Sequence, residues 1–127
     1  MQAFFLVGLG GAIGAMLRHG LSSLIGRIWH NPFPLAILVI NIIGAVAMGL
    51  TVGTLSRITP AWQNEARLFL AVGILGGFTT FSSFSLDTVS LIERGELAQA
   101  ALYVGLSVVV CVLGLYLGLL VTRGGAA

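Results

Sequence analysis

Charge is what this chain most lacks. Only 8% of its 127 residues are Asp, Glu, Lys or Arg, against about 25% in a soluble domain, so water alone cannot wet its surface. Lysine is absent, and the six basic residues are all arginine, scattered with no basic stripe of the kind that grips nucleic acid. The single cysteine, Cys111, excludes an intramolecular disulfide framework and reads as a small packing residue. No Cys/His cluster suggests a metal site, and the two histidines, His19 and His30, stand well apart. Gly8-Leu9-Gly10-Gly11-Ala12-Ile13 is glycine-rich like a phosphate loop, but no strand precedes it. Catalysis is not expected.

Apolar residues fill the space that charge leaves. The chain is 57% hydrophobic with a mean hydropathy of +1.07, the composition of an integral membrane protein. About 20 apolar residues cross a bilayer core. Four windows reach that length: Phe4–Leu24, Leu35–Leu55, Leu68–Ile92 and Leu97–Val121. Turn-forming and polar residues separate them, at Gly26–Pro32, at Ser56–Glu65 and at Glu93–Glu96. Trp29 and Trp62 fall at these edges, where indoles favour the headgroup region. Met1–Ala15 has no basic n-region, and its apolar run continues too far for a signal peptide, so a spanning helix is expected there. The expectation is an all-α membrane protein, residues 1–127 forming one four-helix unit.

Four crossings put both termini on one side. Arg57, Arg67 and Arg123 then face Arg27 and Arg94 across the membrane, with Arg18 inside the first span. So small a difference biases orientation weakly. Either the richer side is cytoplasmic, or the chain inserts both ways and assembles as an antiparallel dimer. Glycines four apart recur in every span, at Gly10/Gly14, Gly49/Gly53, Gly73/Gly77 and Gly114/Gly118. Such pairs let helices pack closely. Four short helices enclose little volume, so a pore needs a second subunit.

The third span carries the least membrane-like stretch, Gly76-Gly77-Phe78-Thr79-Thr80-Phe81-Ser82-Ser83-Phe84-Ser85. Unsatisfied backbone is tolerated at membrane depth only beside protein or a water-filled cavity, so a helix broken mid-membrane here points to the handling of something hydrophilic. Phe81 and Phe84 share a face if the helix resumes, and an aromatic edge can solvate an anion without a full charge. Thr79, Thr80, Ser82, Ser83 and Ser85 can donate hydrogen bonds to an anion or cap helix ends. Carbonyls released near Gly76–Thr79 could instead hold a hard cation. Asn41, inside the second span, either bonds a neighbouring helix or meets a permeating ion. Arg18 either snorkels to the interface or lends positive potential to a vestibule. Tyr103, Ser107 and Cys111, spaced by four, form one face of the fourth span, where a polar ladder and chance placement both remain open.

Taken together, these residues resemble the small four-helix fluoride channels, the Fluc or CrcB family. The ten residues from Gly76 to Ser85 look like that family's GGxTTFSTFS signature. Gly10-Gly11-Ala12-Ile13-Gly14-Ala15-Met16-Leu17-Arg18 and Asn41-Ile42-Ile43-Gly44 add supporting matches. The resemblance implies dual-topology chains in an antiparallel homodimer in the bacterial inner membrane, with two fluoride pores that let fluoride leave the cell. It implies that Phe81 and Phe84 line the pores, with Asn41, Thr80, Ser82, Tyr103 and Ser107 along them and Arg18 in a vestibule. It also implies a structural sodium ion at the dimer centre, held by main-chain carbonyls of Gly76 and Thr79 from both subunits, and no organic cofactor. Ser83 stands where the family usually has Thr, and Cys111 where a hydroxyl is commoner.

Two other readings compete. A dual-topology multidrug or cation exporter would need a membrane-embedded acid, and only Asp87, near the far end of the third span, could serve. A non-transporting scaffold subunit would suit the glycines but leave the hydroxyl-rich stretch unexplained.

Overall fold

The computed structural model describes residues 1–123, and all of its regular structure is helical. Helix α1 (Gln2–Ile28) and helix α2 (Leu35–Ile58) are joined by a short loop that contains Pro32 and Pro34. A third helical run, α3, comprises Gln63–Ala66, the wider π-helical turns of Arg67–Leu75 and a last turn, Gly76–Phe78. Helix α4 (Phe81–Glu93) follows, and helix α5 (Leu97–Thr122) closes the bundle. Four segments are long and apolar enough to cross a membrane: Gln2–Ile28, Leu35–Ile58, Gln63–Glu93 and Leu97–Thr122. The chain is thus a multi-pass membrane protein.

Loop chemistry fixes where the helices stop. Gly26–Ile28, read from the sequence as loop, remain helical, and α1 ends one residue later where Trp29 turns extended. Trp29 then donates its indole N–H to the Phe33 carbonyl at 2.7 Å, while the Asn31 side chain accepts from the Phe33 N–H at 3.0 Å. Those two bonds fold the proline-rich loop back onto α1. Gly95 supplies the turn between α4 and α5 with a φ of 79°, which a residue without Cβ adopts freely.

Two parallel helix pairs make the bundle, and glycine sets both. The glycine pair of α1 lies against α3, so a Cβ on Gly10 would meet the Phe69 carbonyl and one on Gly14 the Ile74 carbonyl. In the second pair, a Cβ on Gly49 would strike the Leu115 carbonyl of α5, and one on Gly118 would sit 2.8 Å from the Val46 carbonyl. Close van der Waals approach of this kind takes the place of a hydrophobic driving force between membrane helices. The Arg57 guanidinium reaches the Thr122 carbonyl at 3.3 Å, which brings the C-terminal ends of α2 and α5 together. Among the described residues, both chain ends therefore lie at one end of the bundle.

Between α3 and α4 the backbone leaves helical geometry for two residues. Thr79 (φ −83°, ψ 157°) and Thr80 (φ −152°, ψ 124°) are extended. The glycines do not cause this. Gly76 and Gly77 are helical, and Gly77 serves contact with α1, where its Cβ would lie 2.5 Å from the Gly11 carbonyl. What stabilises the extended pair is side-chain chemistry at the site itself.

Candidate functional site

Asn41 of α2 clamps the extended segment. Its Oδ1 accepts the Thr80 N–H at 2.9 Å, and its Nδ2 donates to the Thr80 carbonyl at 3.1 Å. A carboxamide is the one side-chain type that pairs a backbone N–H and C=O in the way a neighbouring strand would. In an unbroken helix that N–H would have bonded the Gly76 carbonyl, which is thus released. Among the described residues nothing donates to the Thr79 carbonyl either. Gly44, one turn further along α2, makes the approach possible. A Cβ there would collide with the Thr79 methyl group and reach the Phe78 ring at 3.4 Å.

Threonine chemistry closes one helix and opens the next. The Thr79 hydroxyl donates back to the Leu75 carbonyl at 2.9 Å. Thr80 is the N-cap of α4, its Oγ1 accepting the Ser83 N–H at 3.1 Å. Capping by a hydroxyl in this way is worth about 1 kcal/mol. The Thr80 and Ser82 hydroxyls lie 3.1 Å apart. One of the two donates to the other, so the pair keeps one O–H free.

An open groove of about 330 Å³ runs between α2, the extended segment and α5. Asn41, Gly44, Ala45 and Met48 form one wall, and Ser107, Val108, Cys111 and Leu115 the other. Thr79, Thr80, Phe81 and Phe84 form its end. Among the described residues no charged side chain lines it. Ser107 is only 7% exposed, yet its hydroxyl has no hydrogen-bond partner among the described residues. A buried, unpaired hydroxyl costs roughly 1–3 kcal/mol. Asn41 also keeps one of its two amide hydrogens uncommitted. Neutral donors and phenyl rings are therefore concentrated in one apolar groove.

Aromatic contact links the groove to the core. Phe81 and Phe84 stack at a tilt with ring centroids 5.5 Å apart, and Phe84 lies 5.1 Å from Tyr103. Tyr103 meets Phe33 edge-on at 5.7 Å. Phe81, at 79% exposed, is the outermost ring of this aromatic run.

The sequence of this bundle matches, over residues 5–119, the family model described as CrcB-like protein, Camphor Resistance (CrcB). The chain belongs to the CrcB family. It is 47% identical over 123 residues to a protein of Hyphomonas neptunium named "Fluoride-specific ion channel FluC", with 97% of each chain covered. A Roseobacter denitrificans protein of the same name is 48% identical over 128 residues, covering 98% of each. A third, from Thermus thermophilus, is 46% identical over 127 residues, covering 100% of this chain and 98% of its own.

Not every residue singled out in the sequence of this CrcB protein reaches the groove. Phe81, Phe84, Asn41, Thr80, Ser107 and Thr79 line it; Tyr103, Ser82, Gly76 and Arg18 do not. Tyr103 is fully buried and donates its hydroxyl to Asp87 Oδ2 at 3.0 Å. Ser82 is exposed beside Thr80, and Arg18 is half-buried on α1 with no ion pair or hydrogen bond among the described residues. Sequence reasoning missed Asp87 as the partner of Tyr103 and Gly44 as the residue that admits Thr79. The first joins two helices across 16 positions, so no helical period could have flagged it. Gly44 was within reach, since it lies three residues after Asn41 on the same face.

Proposed function

We propose that the chain is a passive, fluoride-selective ion channel through which fluoride leaves the cell. The observation that carries this reading is the groove itself, with unpaired neutral donors and two phenyl rings and no charge. Fluoride is small and strongly hydrated, so a pathway must replace its water with other donors. The Ser107 hydroxyl, the free amide hydrogen of Asn41 and the free hydrogen of the Thr80–Ser82 pair are such donors. The rims of Phe81 and Phe84 offer the positive edge of the aromatic quadrupole. Because none of these groups is a cation, the anion is not trapped, as conduction requires. The relatives' names, which specify fluoride, favour this anion over others.

The pathway is completed by assembly. No more than 22% of any span's apolar window is buried within one chain, and the groove lies open. We infer an antiparallel, dual-topology homodimer with two pores in the bacterial inner membrane, its third span broken at mid-depth. Arg18 draws anions into a vestibule, and Tyr103, anchored by Asp87, flanks the route beyond Phe84. A structural sodium ion at the dimer centre fits the released oxygens of Gly76 and Thr79, since hard cations take oxygen ligands. The ion would tie the two extended segments together. No organic cofactor is required.

Fluoride efflux from liposomes that hold the purified protein tests the function. Efflux should be fast and chloride retained. Proton-dependent uptake of an organic cation instead would favour the exporter reading, with Asp87 as its acid. Absence of any flux would favour a scaffold subunit.

A further inference from the structure

Two sulfur-bearing side chains that fluoride conduction does not use line the groove. Met48 lies on its α2 wall and Cys111 on its α5 wall. Cys111 is a free, half-buried thiol. One helical turn before it stands the Ser107 hydroxyl, nine-tenths buried and without a partner among the described residues. A thiol and a thioether in a pocket free of carboxylates suit a soft metal ion and not a hard one.

We propose that Cys111, with Met48 as second sulfur ligand, forms a binding site for a soft monovalent cation such as silver(I) or copper(I), and that occupancy obstructs the groove. Binding breaks the Cys111 S–H bond, releases the proton to solvent and forms a metal–sulfur bond, with no change of oxidation state. Thiolate is the metal-binding form, so acid opposes binding. The Ser107 oxygen lies near enough in sequence to add a weak third ligand. The binding claim stands on the groove alone, while the obstruction claim rests on the channel reading above.

The test uses the full chain and silver(I) in chloride-free nitrate buffer, where silver fluoride stays dissolved. Silver retained after desalting should amount to one ion per wild-type chain. Cys111→Ser should lose that ion, and Met48→Leu should hold it more weakly. In liposomes, silver should slow wild-type fluoride efflux to near the rate of protein-free liposomes, with recovery on adding dithiothreitol. Cys111→Ser efflux, compared with its own silver-free rate, should not respond. Equal silver retention by wild type and Cys111→Ser would overturn the site, and silver held at Cys111 with undiminished efflux would overturn the obstruction. If the wild type passes no fluoride even without silver, the channel reading falls, and the retention measurement alone decides the site.

Discussion

Asn41 shows how one side chain sets local structure. Both ends of its amide are committed to the backbone of Thr80, a residue only 9% exposed. Removing the amide leaves a buried N–H and a buried C=O unpaired, at about 1–3 kcal/mol each. Asn41→Ala should therefore lower the thermal stability of the detergent-solubilised protein and slow fluoride efflux. Asn41→Asp, which can still accept from the Thr80 N–H and when protonated can donate to the Thr80 carbonyl, should retain part of that stability. Equal melting temperatures for Asn41→Ala and the wild type would refute the clamp. From the sequence, Asn41 admitted two readings, a bond to another helix and a contact with an ion. The bond is present, and the remaining amide hydrogen keeps the other role available. Tyr103 and Ser107 looked alike in the sequence because they share a helical face, yet their surroundings separate them. One is tied to Asp87, and the other lines the groove with its buried hydroxyl unpaired among the described residues.

At the scale of elements, the four apolar helices were legible because length and hydropathy are local properties of the chain. The irregularities were harder to place. Two adjacent glycines suggest unwinding, but Gly76 and Gly77 stay helical and the backbone extends at two threonines held by Asn41 and by their own hydroxyls. The π-helical turns of Arg67–Leu75 had no sequence signal at all, since they contain neither proline nor a polar insertion. They accompany the close approach of α3 to Gly10 and Gly14. That approach can be tested directly. Gly14→Ala puts a methyl group against the Ile74 carbonyl, an overpacking expected to cost about 1–3 kcal/mol. Gly20→Ala, with nothing within 4 Å of the added carbon, should leave stability unchanged or slightly raised. Equal melting temperatures for the two variants would refute the account of the α1–α3 contact.

For the whole molecule, the arginines are too evenly divided to fix an orientation. Arg57 and Arg123 lie at the bundle end opposite Arg27 and Arg94, and no ion pair among the described residues offsets any of them. Dual topology then predicts that tags on both termini are accessible from both faces of the membrane in one preparation. Uniform one-sided labelling would contradict it. Neither charge count nor hydropathy could reveal how the helices pair, because every span is predominantly apolar and its few polar residues do not say which helix they face. The pairing of α1 with α3 and of α2 with α5 comes from glycine positions that match only in three dimensions.

Fluoride passage depends most on Phe81, the outermost ring at the groove. Fluoride efflux from liposomes, followed with a fluoride-selective electrode, should fall at least tenfold on replacing Phe81 with Ile, which keeps the bulk and removes the aromatic edge, while chloride stays excluded. Undiminished fluoride efflux in Phe81→Ile would contradict that dependence.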